Sequence, residues 1–402
     1  MQVQALALRR NSVDTDGPMV TQVLNPYKEA VDIVKELGGD DLKLCYQCGL
    51  CSGLCPWNLV KNFIVRKLIH QVQLGLVDFE SDELWMCATC GACVQRCPRG
   101  VNIIDIMKAL RRTVVELGIA PIPDSMRITL KNVSGTGNPW GEPTERRAKW
   151  SEGLNIKTFS AGTEFLYYPC CLICYDPSVT RMGRALTTVL QKAGVDFGIL
   201  GAQEACCGES VRKAGNEELF QSLVEGNTGV WRANGVKKIL VSSPHCYYTL
   251  KNEYPLAEQG IEVLHTTELL AKLIREGKLK LTKPIEKKVA YHDPCYLGRH
   301  SDIYDEPREI LGSIPGLELI ELPGNHADSL CCGGGGGRIW MESKVGERFA
   351  EVRTQQAIDA GAEVVAVACP YCLLCFESCV QPGMIERAPE IKAIEELVAE
   401  AM

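Results

Sequence analysis

Apolar positions along the chain follow two different rhythms. Phe63, Ile64, Leu68, Ile69, Val72 and Leu74 recur three and four apart, which predicts a helix with one buried face. A shorter amphipathic helix is expected over Pro26–Leu37, stopped by Gly38 and Gly39 behind a loose arm, and a further one over Ile103–Leu117. Residues 118–160 then carry Pro121, Pro123, Gly135, Gly137, Pro139, Gly141 and Pro143, the punctuation of turns and loops in a domain linker. Beyond residue 163 the texture alternates. Short apolar runs at Phe165–Tyr168, Phe197–Leu200, Lys238–Ser242, Ile261–Leu264, Val289–His292, Leu317–Leu322 and Val364–Ala368 are mostly separated by helical stretches such as Met182–Ala193, Glu217–Ala233 and Val345–Ala360. Strand-helix alternation of this kind predicts an α/β arrangement with largely parallel strands.

That half is also duplicated. Cys171 to Cys206 is 35 positions and Cys295 to Cys331 is 36, while Cys207 to Cys246 is 39 and Cys332 to Cys372 is 40. Each copy runs from a cysteine after a strand, through a Cys-Cys-Gly triplet, to a second strand ending in Ser243-Pro244-His245-Cys246 or Cys369-Pro370-Tyr371-Cys372. The predicted organisation is an arm and helix at 1–40, a cysteine-rich helical domain at 41–117, a linker at 118–160, and two copies of one α/β domain at 161–283 and 284–402.

Composition then turns the question to metal. The 402 residues are 46% hydrophobic and 23% charged, as in an ordinary globular protein, and the net charge of -7 leaves no cationic field for nucleic acid. The 21 cysteines depart from the ordinary. They sit in adjacent pairs and Cys-x-x-Cys steps, a pattern suited to thiolates converging on metal in a reducing compartment rather than to disulfides. Ala5–Leu8 is too short an apolar stretch for a secretion signal, with Arg9 and Arg10 after it rather than before it. Pro370 interrupts the most apolar window, Ala362–Phe376, so no direct membrane span is expected.

Cys45-x2-Cys48-x2-Cys51-x3-Cys55-Pro56 and Cys87-x2-Cys90-x2-Cys93-x3-Cys97-Pro98 follow the bacterial two-cluster ferredoxin pattern. Three cysteines on a tight loop reach three irons of a cube, and the fourth iron is ligated from the other motif. This assigns Cys45, Cys48, Cys51 and Cys97 to one [4Fe-4S] cluster, and Cys87, Cys90, Cys93 and Cys55 to a second. Zinc is the competing reading, but a tetrahedral site has no use for eight cysteines in this order.

The repeat resembles the CCG cysteine-rich domains of heterodisulfide reductases, and the front end, with Trp85-x-Cys87 and Arg96-Cys97-Pro98-Arg99-Gly100-Val101, resembles their small ferredoxin subunit. From about residue 40 to 390 the chain resembles the fused, D-type form of these enzymes, in which the ferredoxin and CCG parts share one polypeptide. The resemblance implies an α+β protein: a helical two-cluster ferredoxin domain followed by two Rossmann-like, parallel-sheet CCG domains. It further implies a noncubane [4Fe-4S] cluster on Cys295, Cys331, Cys332, Cys369 and Cys372 as the catalytic centre. In the first copy Cys171, Cys206, Cys207 and Cys246 match, but Ser243 stands where the repeat puts a cysteine. Three outcomes stay open there: Cys170 or Cys174 fills the gap, the site takes a conventional cluster, or it holds nothing.

Other features are weighed against blander readings. Cys375 and Cys379 extend a ferredoxin-like spacing from Cys369 but lack the proline and the second quartet, so they are read as helix thiols. Gly333–Gly337 lacks the Gly-Lys-Ser/Thr ending of a phosphate loop and is read as allowing close backbone approach. His292 and His326 are candidate proton donors to a departing thiolate, the structural alternative being a hydrogen bond beside the cluster. His245 flanks the first set. Trp140 and Trp150 are expected to dock the ferredoxin part onto the α/β part.

The functional expectation is a cytoplasmic oxidoreductase that passes electrons through two clusters to a site reducing a disulfide or oxidising its thiols. It would be peripheral to the inner face of a membrane, if there at all, through a partner. The alternative is an electron-transfer subunit of a flavin-based bifurcating, acyl-CoA-reducing or membrane quinone-linked complex. Either way electrons come from another polypeptide, a flavoprotein or a membrane cytochrome b. The purified protein is expected to be brown, with roughly twelve to sixteen irons at about four per cluster; a colourless zinc protein is the outcome that sinks this reading.

Overall fold

A computed structural model describes residues 26–380 and 388–402; the arm expected before Pro26 lies outside them. The N-terminal domain is helical. Val65–Gln73 buries Val65, Leu68, Ile69 and Val72, and Ile103–Leu117 buries Ile103, Ile106, Met107, Leu110 and Val114. The first helix runs over Lys28–Val34 and continues as a widened turn through Lys35–Gly39. Between these helices the two cysteine motifs form short helical turns.

The rest of the chain is built on two four-stranded parallel sheets of the same order. β1 (Phe165–Tyr167), β2 (Phe197–Gly198), β3 (Lys238–Val241) and β4 (Glu262–His265) lie in the order β2-β1-β3-β4. β5 (Lys288–His292), β6 (Glu318–Ile320), β7 (Val364–Val367) and β8 (Glu390–Ala393) repeat it as β6-β5-β7-β8. The duplication read from cysteine intervals is therefore a duplication of topology. Central strands such as Val364–Val367 are buried at every position, because helices cover both faces of the sheet. In each copy the order reverses between the two central strands; Cys171 and Cys246, or Cys295 and Cys369–Cys372, follow the carboxyl ends of those strands, and each Cys-Cys-Gly turn follows the neighbouring edge strand. That crevice is where open parallel sheets bind ligands.

Several expectations need correction. The stretch read as loop, 118–160, contains a helix, Asp124–Thr136, and a 3₁₀ segment, Thr144–Ser151. The Pro and Gly residues bound that helix rather than break it: Pro123 precedes it and Gly137 closes it in the left-handed region, while Met126, Leu130 and Val133 bury one face. The helix expected from Val345 starts at Phe349, that from Met182 starts at Pro177 behind the Asp176 cap, and the last strand has no counterpart among the apolar runs. Trp140 stacks on Tyr175 and meets Trp340 edge-on at 5.0 Å, and Trp150 packs on Tyr167. Among the described residues the aromatic partners of both tryptophans lie in the α/β half and not in the ferredoxin part. Among the described residues no helix is long and apolar enough to cross a membrane.

The ferredoxin part is held by Arg111. Its guanidinium is fully buried and donates to the carbonyls of Leu84 (2.7 Å), Cys87 (2.9 Å), Lys213 (3.0 Å) and Gly336 (2.8 Å). One side chain therefore binds the helical domain and both α/β copies. Burial lowers its pKa to about 10, still above neutrality. Glycines permit the close approach: a Cβ on Gly336 would lie 2.3 Å from the Cys87 carbonyl oxygen, and one on Gly335 2.3 Å from that of Ala88. Between the two copies, helix Pro177–Lys192 packs on Ile394–Ala401 and helix Thr266–Arg275 on Asp305–Gly312. There Thr266 Oγ1 donates to Glu395 Oε1 at 2.8 Å, while Oε2 is buried with no partner among the described residues.

Both buried groups govern stability. Arg111→Ala leaves four carbonyls without their buried donor and should cost about 3–5 kcal/mol in chemical denaturation, the range for removing one partner from a buried charged network; a loss within experimental error would contradict the bridging role. Burial raises Glu395 to about 7 from 4.5, so folding takes up a proton and stability is lost as pH rises from 4.5 through 7. Denaturation midpoints of Glu395→Gln and wild type should coincide near pH 4.5 and separate by pH 8. The variant should then be more stable by on the order of 3 kcal/mol, the equivalent of that shift; parallel pH profiles would refute it.

Candidate metal centres

The two ferredoxin loops wind alike. Gln47 and Gly49 in the first, and Thr89 and Gly91 in the second, take the left-handed region, curling each loop around its cysteines. Thr89 N–H donates to Cys87 Sγ at 3.4 Å, and Val101 N–H to Cys97 Sγ at 3.3 Å. Cys45, Cys48, Cys51 and Cys97 line one cavity, which Cys93 also borders. Cys55, Cys87, Cys90 and Cys93 line another. Soft sulfur donors converging from two loops fit a cluster, and an octahedral oxygen-seeking ion would find no ligand. Cys48 is exposed, whereas Cys90 is buried against the second α/β copy. That contact is detailed: Arg299 Nε donates to the Cys90 carbonyl at 2.7 Å, His300 Nε2 meets the Thr89 carbonyl at 2.9 Å, and Thr89 Oγ1 pairs with Tyr296 Oη at 2.8 Å.

In the second copy the thiols form a continuous chain of contacts. Cys295 Sγ lies 3.9 Å from Cys331 Sγ, Cys331 neighbours Cys332, Cys332 Sγ lies 3.3 Å from Cys372 Sγ, and Cys372 neighbours Cys369. Cys331 also meets Cys90, so the second ferredoxin site and this site share a boundary. The first copy places Cys171, Cys206, Cys207 and Cys246 in the corresponding order, with Cys207 and Cys246 3.5 Å apart. In both copies the glycine of Cys-Cys-Gly has positive φ, +79° at Gly208 and +98° at Gly333. Each turns its own N–H onto the first thiol of its pair, at 3.4 and 3.3 Å. Glycine is needed there because a side chain rarely adopts that backbone.

Histidines and arginines surround these thiols unevenly. His292 is fully buried within 4.8 Å of the Cys332 and Cys372 thiols, with no partner on either ring nitrogen among the described residues. Burial, reinforced by Arg353 and Arg299, holds its pKa well below the usual value. His326 stands apart from the thiols, with Nδ1 2.8 Å from Asn325 Oδ1 and its backbone N–H on Asp293. His245 flanks the first set in sequence, yet in space it reaches the second. Burial opposes its charge, but Glu209, 3.1 Å from Nδ1, and Cys369 raise it to about 10. Cys369, which burial alone would push up, is brought to about 5 by Cys372 and His245. The His245 ring stacks on Tyr371 at 4.2 Å, and Tyr371 in turn borders the first copy's cavity. These residues occupy equivalent positions in the two copies, so each copy sends one ring into the other's site.

Sequence reasoning missed Arg147 and Arg299. Arg147 is buried, donates to Cys171 Sγ at 3.4 Å and to the Pro169 carbonyl at 3.0 Å, and pairs with Glu204 at 3.2 Å. Neither arginine belongs to a spacing pattern that would have exposed it. Cys379 donates back to the Cys375 carbonyl at 3.2 Å, as a helix thiol does. Cys375 borders a cleft of about 720 Å³ that reaches Cys332, Gly333 and Gly334 and is flanked by Arg338 and Arg348.

Comparison with known proteins places these features. The cysteine-rich domain family matches residues 165–251 and 289–377, and the 4Fe-4S dicluster domain family matches residues 41–101. The EtfAB:quinone oxidoreductase of Syntrophomonas wolfei is 38% identical over 307 residues, 73% of this chain and 43% of that protein. A probable iron-sulfur-binding oxidoreductase, FadF, of Bacillus subtilis is 35% identical over 308 residues, 74% of this chain and 44% of that protein. The chain thus spans less than half the length of either. The D-type subunit of the dihydromethanophenazine:CoB--CoM heterodisulfide reductase of Methanosarcina mazei is 31% identical over 312 residues, covering 75% of this chain and 74% of the relative.

Proposed function

Because the chain belongs to the family of the D-type heterodisulfide reductase subunits, we propose that its second CCG copy is the site where a disulfide is reduced to two thiols, or the thiols oxidised in reverse. In broader terms the chain is an iron-sulfur electron-transfer oxidoreductase carrying a dicluster domain and two CCG domains. Cys45, Cys48, Cys51 and Cys97 would hold one [4Fe-4S] cluster, Cys87, Cys90, Cys93 and Cys55 a second, and Cys295, Cys331, Cys332, Cys369 and Cys372 the noncubane cluster. When bound, these groups supply one-electron steps, and the last supplies irons able to take sulfur ligands.

The observation that carries the proposal is the open cleft at Cys332, Gly333 and Gly334. A substrate sulfur has a route to the second thiol set, and the bare glycine backbone leaves room beside it. Arg338 and Arg348 on the wall suit a substrate with anionic ends, while Ile339, Met341, Phe349 and Leu374 suit an apolar body. Cys90 against Cys331 gives the dicluster domain its contact with the same site. The balance is one disulfide, two electrons and two protons giving two thiols; the electrons come from a partner redox protein, a flavoprotein or membrane cytochrome b. Burial disfavours a charge on His292, so protons would arrive through the solvent-reaching cleft.

A second reading is favoured by one finding, the 38% identity to part of a quinone-linked oxidoreductase of more than twice the matched length. In it the chain relays electrons within a larger complex and makes no thiol. The readings separate on oxidised protein treated with a thiol. The reductase reading expects a thiol-dependent paramagnetic signal that Cys295→Ala abolishes while both ferredoxin-type signals persist, together with viologen-driven disulfide reduction that falls to background in the same variant. Cubane signals alone, with no turnover of any disulfide in wild type, would leave the relay.

A further inference from the structure

We infer that the first copy binds its own iron-sulfur cluster with Cys170 as the fifth thiolate, and that Ser243, which occupies the position the repeat assigns to this ligand, is a helix cap and not a ligand. The inference rests on the iron-sulfur reading of the CCG repeat given above and assigns a site that the repeat pattern leaves incomplete.

The thiol contacts carry it. In the second copy the order is Cys295, Cys331, Cys332, Cys372, Cys369. In the first it is Cys171, Cys206, Cys207, Cys246, Cys170, the last two being neighbours on one cavity wall. The two chains of thiols match contact by contact, with Cys170 in the place of Cys369. Cys170, Cys171, Cys206, Cys207 and Cys246 all line one cavity, comparable in size to the two ferredoxin cavities, and neither Ser243 nor Cys174 borders it.

The residues left out are engaged elsewhere. Ser243 is the N-cap of helix Pro244–Asn252, and its hydroxyl accepts from Cys246 N–H at 3.5 Å. Cys369 holds the same cap position on helix Pro370–Glu377 without a side-chain cap bond among the described residues, so its thiol is turned to the cluster site. The serine has taken over the capping, and Cys170, in the turn after β1 beside Cys171, has taken over the ligation. Cys174 points its thiol at the Pro169 carbonyl. Arg147, buried and donating to Cys171 Sγ, supplies positive charge beside a pocket that would hold an anionic thiolate-cluster assembly, while Glu209 on the same wall is paired with His245. The cavity is enclosed by Tyr371 and Trp340 from the second copy, so this centre takes no large substrate and serves as a relay or a store for one electron.

The test uses the full chain, purified without oxygen, with metal and sulfide analysis and low-temperature EPR and Mössbauer spectra. Wild type should hold about sixteen irons, about four for each of four clusters. Cys170→Ser should lose about four irons and one cluster signal, while Ser243→Ala and Cys174→Ala keep the full complement. Wild type with about twelve irons, falling to about eight in Cys295→Ala, would overturn this inference and leave the proposed reductase site standing. Full iron in Cys170→Ser, iron loss in Ser243→Ala, or one zinc per chain in wild type would each overturn it too. The wild-type metal count decides the matter even where a substituted chain fails to fold.

Discussion

The arrangement depends on a buried guanidinium. Arg111 is the point where the helical domain, the first copy and the second copy meet, and among the described residues its hydrogen bonds all go to backbone carbonyls. An arginine can do this because its planar head presents several donors in fixed directions while keeping its charge when buried. Carbonyls are the right partners here: those of Leu84 and Lys213 belong to the last turns of short helices and those of Cys87 and Gly336 to loops, where regular backbone pairing runs out. Removing water from such a junction is expensive unless every group finds a partner. The junction therefore fixes the second ferredoxin loop against the glycine run, and with it the boundary between Cys90 and Cys331.

The α/β half is organised by a second constraint, its approximate internal symmetry. The helix after β1 packs on the helix after β8, and the helix after β4 packs on the helix after β5. Both sheets thus present their cysteine-bearing strand ends toward a common seam, with His245 and Tyr371 stacked across it. The symmetry is broken where chemistry differs. One copy opens to a cleft and sets its Cys331 against Cys90 of the dicluster domain; the other is closed by aromatic residues of its twin.

Much of this is legible in the sequence because metal ligation and parallel sheets both impose spacing. The two ferredoxin motifs, the doubled cysteine intervals and the helices Ile103–Leu117 and Glu217–Ala233 are regular patterns, and the structure has those helices at those limits. What escapes is whatever depends on contacts between distant segments. Nothing in the neighbourhood of His245 says that it will cross to Cys369, and Arg111 looks like any surface arginine of an amphipathic helix. The helix Asp124–Thr136 is hidden differently: its apolar spacing is present, but the flanking Pro and Gly signals read as a loop rather than as the two ends of an element. Ser243 is visible as a departure from the repeat, yet only geometry distinguishes a cap from a ligand.

The stacked rings at the seam bear on how such a chain can change. An ancestor with identical halves would have set two like side chains face to face there, and two charged imidazoles would repel each other. A tyrosine opposite a histidine removes that conflict and lets Glu209 hold the cation on one side alone. From then on the halves are unequal partners. Each has part of its neighbour's wall built into it, and neither can be exchanged for a second copy of the other without leaving a mismatched pair at the middle of the molecule.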